Sequence, residues 1–271
     1  QPFLAVIWFH APHAPVVAGP KYREMYSQYS EGEQHYYGCI TALDEQVGRL
    51  RAELRKLGIA GNTMLWFASD NGPEGMTSDQ GTNRGLAGGL RGRKRSLFSG
   101  GVNVPALLEW PGHAKPGRVV DSPCSTLDYL PTIRQAAGCD IPGKPRPIDG
   151  LSLIPRIHGK SAERTAPISF RYIEPKKAMH ESPTLAMIEG RYKLLTNFAR
   201  DGRDDMLFDL TRDRGETENL IAKHAEVARS MKARLQTWVE SCKASHVGAD
   251  YDVPFTPASP FPSLNGGWPV K

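Results

Sequence analysis

The sequence predicts an α/β protein that passes into a smaller segment of antiparallel sheet plus helix. Three observations carry that reading. Two unbroken apolar runs of strand length, residues 3–9 and 64–68, flank a long amphipathic stretch. Runs of that kind mark strands covered on both faces, and strand, helix, strand implies a right-handed crossover between parallel strands. After about Leu151 the chain changes to short apolar runs and a final helical stretch.

The first run, Phe3-Leu-Ala-Val-Ile-Trp-Phe9, reads as a strand and ends at His10-Ala-Pro-His13-Ala-Pro15, where the prolines forbid regular structure. A helix is predicted over 33–57, because Ile40, Leu43, Val47, Leu50, Leu54 and Leu57 share one helical face. Gly58 is placed to cap it. Met64-Leu-Trp-Phe-Ala68 is the next strand and runs into Ser69-Asp70-Asn71-Gly72-Pro73. A Gly-rich loop fills 72–101, and a strand follows over 104–110. A short helix is predicted over 125–138, with Leu127, Leu130 and Ile133 inward and Gly138 as cap, and then a proline-rich loop over 140–150. Beyond it, 167–172, 184–188, 191–196 and 206–210 read as strands. Glu189-Gly190 is the hairpin signal between the second and third. A last helix over 221–242 carries Val227, Met231, Leu235, Trp238 and Cys242 on one stripe. The tail from Ser245, rich in Pro and Gly, reads as coil.

At 271 residues with 39% hydrophobic content, the chain can bury a sizeable core and is not disordered as a whole. Its 27 glycines and 22 prolines exclude a helical bundle or coiled coil. The longest apolar run, 3–9, is far too short to cross a bilayer, so no transmembrane segment is expected. No signal peptide is visible. The chain begins at Gln1 rather than Met and reads as processed, excised or truncated. The net charge of +5 equals the charge of Arg84, Arg91, Arg93, Lys94 and Arg95, a stretch without acidic residues. Such a run is either an anion site or a solvated basic loop. Nucleic-acid binding is disfavoured, since no aromatic interleaving or binding motif accompanies these charges. Cys39, Cys124, Cys139 and Cys242 include no CxxC pair, which argues against a zinc ribbon or thioredoxin-like motif. Cys39 fits an apolar helix face; whether Cys124 and Cys139 pair is open.

Ligands of open α/β sheets lie beyond the carboxyl ends of the strands. That rule selects His10 and His13 after the first strand, and Asp70 and Asn71 after the second. Parallel strands would place both clusters on one sheet edge. Asp70 and Asn71 offer hard oxygen donors suited to Ca²⁺ or Mg²⁺, although Ca²⁺ takes about 6 to 8 oxygens. By themselves these residues favour a plain turn. His13 can act as a general acid or donate to an anionic oxygen, and His10 can do the same or only brace the loop. Lys94 can neutralise a charged leaving oxygen; its plain reading is solvated surface.

Order and wording make these signals specific. His10-Ala-Pro-His13-Ala-Pro15 resembles the histidine loop of the arylsulfatase-type, formylglycine-dependent sulfatases. Phe67-Ala-Ser-Asp70-Asn71-Gly72-Pro73 resembles their metal-ligand strand end. Gly89-Leu-Arg-Gly-Arg-Lys94-Arg-Ser-Leu-Phe-Ser-Gly100-Gly101-Val-Asn-Val-Pro105 resembles their catalytic-lysine loop. Leu127-Asp-Tyr-Leu-Pro-Thr132, Asp149-Gly-Leu-Ser-Leu153 and Asp213-Arg-Gly-Glu-Thr-Glu-Asn-Leu220 match as well, so the resemblance runs from about residue 2 to 252.

The resemblance implies an alkaline-phosphatase-like core, a mainly parallel sheet flanked by helices and here incomplete, with a small C-terminal α+β domain. Residues 1–155 would be the later part of the core, 156–245 the antiparallel-sheet domain with its helix, and 246–271 the tail. It implies hydrolysis of sulfate esters on a sulfated small molecule or glycan. It makes Asp70 and Asn71 ligands of Ca²⁺, with Mg²⁺ as the alternative. It makes His13 and Lys94 catalytic and sulfate-binding, and His10 a substrate-pocket residue. It also implies an exported protein: periplasmic, extracellular or lysosomal. The oligomeric state is not readable. The family's nucleophile, a formylglycine from a Cys/Ser-x-Pro/Ala-x-Arg motif, has no counterpart here, since no cysteine or serine begins that motif. The chain therefore resembles the C-terminal portion of a sulfatase, without the nucleophile-bearing half, and is expected to be inactive alone. Ser99 and Asn103 stand where the family usually has Glu and Arg. The alternatives are a phosphodiesterase or phosphonate hydrolase of the same superfamily, and a non-catalytic anion- or glycan-binding remnant.

Overall fold

The computed structural model describes residues 2–74, 85–139, 147–160, 163–172, 182–198 and 202–251. Arg84 of the basic run, most of the proline-rich loop and the tail from residue 252 lie outside the described residues. The chain divides into two compact units, residues 1–88 with 104–112 and residues 89–103 with 113–271.

In the first unit helix α1 spans Glu31–Lys56. Ser30 and Glu33 form a capping box at its start, with the Ser30 amide donating to Glu33 Oε2 at 3.1 Å. Glu31 and Glu33 in the first turn and Arg55 and Lys56 in the last complement the helix dipole. Gly58 ends the helix at φ +70°, as expected. The predicted apolar stripe is only partly covered: Ile40 and Leu57 are exposed. The buried positions are Gly38 and Cys39, packed with Val16 and Ala18. Burial follows the neighbours available, and these reach only the first turns. A Cβ at Gly38 would stand 2.8 Å from that of Ala18, so the close approach needs glycine.

Strand β1, Leu65–Ala68, pairs with β2, Ala106–Glu109, in an antiparallel register from Leu65↔Glu109 to Ala68↔Ala106. The expected strand over 3–9 is a correction. These residues form no strand, and Trp8 is 90% exposed. A doubly covered strand owes its geometry to neighbours that bond its backbone, and among the described residues none does. Among the described residues no parallel pair forms either, so parallel pairing does not place the histidine and Asp-Asn clusters on one edge.

The second unit is built on an antiparallel sheet in the order β3 (Ile168–Arg171), β4 (Leu185–Glu189), β5 (Tyr192–Thr196), β6 (Met206–Asp209). All four strands match the sequence expectation. Glu189 pairs with Tyr192, so the hairpin loop is Gly190-Arg191 rather than Glu189-Gly190, with Gly190 at φ +55°. Alternation along the strands splits the core in two. Leu185, Met187, Leu194 and Leu207 meet helix α3, Ala225–His246, at Ala228, Met231, Leu235 and Val239. Ala186, Leu195 and Phe208 meet Leu97 and Phe98. The predicted stripe of α3 is thus rotated: Val227 and Trp238 flank the contact rather than centre it.

Helix α2, Tyr129–Ala137, ends at Gly138 in the left-handed region. Leu127 and Leu130 are exposed, against expectation, and Asp128 and Thr132 are fully buried. Polar bonds decide the orientation. The Asp128 carboxylate accepts from Ser125 N at 2.8 Å, Leu151 N at 2.7 Å and both terminal nitrogens of Arg164 at 2.7 and 3.0 Å. All four cysteines are free thiols, Cys39 buried as expected and Cys124 and Cys139 unpaired. No helix among the described residues is long and apolar enough to cross a membrane.

Glu109 on β2 receives Arg51 and, at 3.0 Å, Arg55 from α1. The Arg51 hydrogen bond, above all, holds this carboxyl below the usual glutamate range. A depressed carboxyl stabilises the fold above its unfolded pKa and loses that contribution as pH falls through the folded value. Because the pair is partly exposed, we expect wild type to exceed E109Q by only about 0.5 kcal/mol at neutral pH. That margin should shrink to nothing as pH falls from the ordinary value of 4.5 downward. Urea midpoints at a series of pH values check this; a margin that persists at about pH 3 contradicts it.

Candidate functional site

The two histidines come together in the first unit. His13 N donates to His10 O at 2.8 Å, closing a turn, and the rings stand 5.5 Å apart. His13 Nδ1 lies 2.9 Å from Ala14 O. A carbonyl only accepts, so Nδ1 carries the proton and Nε2 is the nitrogen turned to other partners. Both side chains are exposed.

Asp70 and Asn71 follow β1 directly. Asn71 N donates to Asp70 Oδ1 at 2.9 Å, Asn71 Nδ2 to Gly72 O at 2.8 Å, and Ser69 Oγ to Asn71 O at 2.9 Å. The tight turn expected from composition is therefore present. It also leaves Asp70 Oδ2 and Asn71 Oδ1, two hard oxygens, outside these bonds. In kind these donors fit Ca²⁺ or Mg²⁺. In number they supply two ligands. Among the described residues no group of three or more His, Cys, Asp or Glu could hold a metal ion.

Lys94 belongs to the second unit, half-buried on a loop whose base is closely built. Gly100 N donates to Arg91 O at 2.6 Å and Gly101 N to Phe98 O at 2.8 Å. Leu97 and Phe98 are buried against the sheet. The Arg91 guanidinium lies 3.8 Å over the Phe98 ring and donates to Glu216 O at 3.0 Å. Glycines are required here: a Cβ at Gly100 would meet Gly92 O at 2.1 Å, and one at Gly101 would meet Ser96 O at 2.1 Å.

Beneath this loop Lys193 of β5 and Glu216 form a fully buried ion pair at 2.7 Å. Glu216 Oε2 accepts from Ser99 N at 2.6 Å, and Lys193 Nζ donates to Ser99 Oγ at 3.3 Å. Burial pushes the Lys193 ammonium below the usual lysine range, with Glu216 opposing the shift. Sequence reasoning did not single out either residue. A signal for Lys193 was present: it is the one charged residue of its strand, at a position whose alternation points inward with Leu195. Glu216 lay within the quoted stretch 213–220 without a role.

The family model described as "Sulfatase" matches residues 1–139, and that described as "N-sulphoglucosamine sulphohydrolase, C-terminal" matches residues 92–241. Steryl-sulfatase of Mus musculus is 29% identical over 91% of this chain and 44% of its own length. Arylsulfatase A of Bos taurus is 32% identical over 84% of the chain and 46% of its own length. The chain thus spans about half the length of the curated relatives it matches. The solved structure of Ps i-CgsB in complex with k-i-k-neocarrahexaose aligns with a TM-score of 0.68 at 24% identity, over 84% of this chain and 48% of that one. The fold is therefore the expected alkaline-phosphatase-like α/β fold.

The close glycine packing makes a prediction. Gly100→Ala should destabilise the chain by about 2 kcal/mol, the cost of forcing atoms into an occupied site. Urea unfolding measures it; an unchanged midpoint would mean the loop base is looser than described.

Proposed function

The chain belongs to the sulfatase family, and on that premise we propose that it is part of a metal-dependent hydrolase of sulfate esters. The observation that supports this most is one family match running through the histidine turn, the Asp-Asn turn and the lysine loop. In this reading Asp70 and Asn71 hold a divalent cation, Ca²⁺ first and Mg²⁺ second, through Asp70 Oδ2 and Asn71 Oδ1. When bound, the cation neutralises charge on the sulfate oxygens. His13, as the imidazolium with Nδ1–H held on Ala14 O, donates from Nε2 to the bridging oxygen of the sulfate ester and gives up that Nε2 proton as the oxygen departs, leaving the neutral ring. Lys94 binds the sulfate and its bridging oxygen, where charge grows as the bond breaks. His10, its ring tilted beside that of His13 at 5.5 Å, lines the substrate pocket.

The nucleophile in this reading is a formylglycine encoded outside the present sequence, since no residue here begins the required motif. The substrate is a sulfated small molecule or glycan. Relatives named for steryl and aryl esters, and a solved structure holding a neocarrahexaose, support that breadth. An exported compartment, whether periplasmic, extracellular or lysosomal, fits the same reading.

Two experiments test it. A protein extended upstream of Gln1 through a Cys-x-Pro-x-Arg motif should hydrolyse methylumbelliferyl sulfate. His13→Ala should cut that rate about 10²–10⁴-fold and Lys94→Ala about 10²–10³-fold. Faster turnover of the matching phosphate ester would overturn the assignment. The 271-residue chain alone should give no turnover above its Lys94→Ala control at saturating Ca²⁺. It should bind Ca²⁺ only weakly in calorimetry, because two oxygens fall short of the usual complement of about 6 to 8. Sub-micromolar affinity would contradict that ligand set.

A further inference from the structure

The loop that carries Lys94 is held from below by charge as well as by apolar packing. Leu97 and Phe98 already bury apolar surface against Ala186, Leu195 and Phe208. Stability alone gives no reason to add a buried ion pair there. Removing two charges from water costs several kcal/mol per ion, and apolar replacements are often as stable. A hydrogen-bonded pair contributes direction, which apolar contact lacks.

Here the direction is specific. Glu216 is used twice: its carboxylate receives the Ser99 amide at 2.6 Å, and its carbonyl receives the Arg91 guanidinium at 3.0 Å. Ser99 and Arg91 are the two sides of the loop base, which Gly100 N and Arg91 O close at 2.6 Å. Lys193 locks the carboxylate at 2.7 Å and reaches Ser99 Oγ at 3.3 Å. Glu216 does this from φ +56°, a left-handed conformation unfavourable for a side chain of its size. Lys94 lies within the closed segment 91–100, so its Cα has little freedom once the base is set.

We propose that Lys193 and Glu216 are positioning residues for Lys94. Their ion pair fixes the base of loop 91–100 and so the point from which the Lys94 ammonium meets an anion. The proposal rests on the reading of Lys94 as a sulfate-binding residue. The competing reading makes the pair general cement for the second unit.

The test uses the full chain with ¹³Cε-labelled lysine, the Lys94 signal being assigned through Lys94→Arg. Wild type is compared with Glu216→Gln and with the double variant Lys193→Met/Glu216→Gln, which removes both charges at nearly constant volume. In both variants the amides of Ser99, Gly100 and Gly101 should exchange with solvent at least about tenfold faster. The amides of Met187 and Leu207 in the sheet should speed up only by the factor that each variant's loss of stability in urea accounts for, to within about threefold. In wild type, inorganic sulfate should shift the Lys94 signal saturably, and the variants should need about tenfold more. Loop protection and sulfate response equal to wild type in folded variants would overturn the proposal. So would loop exchange that follows the sheet amides and the urea stability in both variants, which assigns the pair to general stability. If sulfate leaves the wild-type Lys94 signal unmoved, the sulfate-binding reading fails, and the loop exchange still decides the positioning role.

Discussion

The contact between the Lys193 ammonium and the Glu216 carboxylate, 2.7 Å apart and closed to solvent, is the constraint on which the second unit's Lys94 loop depends. The sheet has two faces to cover. Helix α3 covers one with Ala228, Met231, Leu235 and Val239. Among the described residues the other is covered by Leu97 and Phe98 of the Lys94 loop. A loop can serve as a core layer only if its backbone polar groups find partners. The ion pair meets that need, since it places a carboxylate under the Ser99 amide and a carbonyl under Arg91. One small cluster thereby joins packing of the C-terminal sheet to the placement of a candidate catalytic lysine.

The first unit shows the same economy on a smaller scale. Local bonds settle which atoms of each candidate residue face outward. The Ala14 carbonyl takes Nδ1 of His13 and leaves Nε2. The Asn71 amide and the Gly72 carbonyl take one side of the Asp-Asn turn and leave two oxygens. The turn and the proposed ligand set of that segment therefore do not compete: the turn leaves outward the two oxygens that the proposal uses. The proposed division of labour in the chemistry follows from such leftovers, with a proton donor on one turn and oxygen donors on the other.

Much of the second unit was legible from residue pattern. Strand and helix positions there followed from short apolar runs and turn residues, and the boundaries moved by a few residues at most. Periodicity was weaker on orientation. It turned Leu127 and Leu130 inward, whereas the Asp128–Arg164 bonds between distant segments turn Asp128 inward instead. It read residues 3–9 as a strand because both faces are apolar, but a strand also needs partners for its backbone, which periodicity does not report. The candidate residues themselves came from motif wording. The supporting pair did not, because its members are more than 20 residues apart in sequence and 94 and 117 residues from the serine they hold.

A double-mutant cycle in urea measures the central contact most directly. Lys193→Met and Glu216→Gln should each cost about 3 kcal/mol, because each leaves a buried group without its counterpart. The double variant should cost at least about 2 kcal/mol less than the sum of the two. Costs that add to within about 0.5 kcal/mol would mean that the two side chains do not act as a pair, and the account of how the Lys94 loop is held would be wrong.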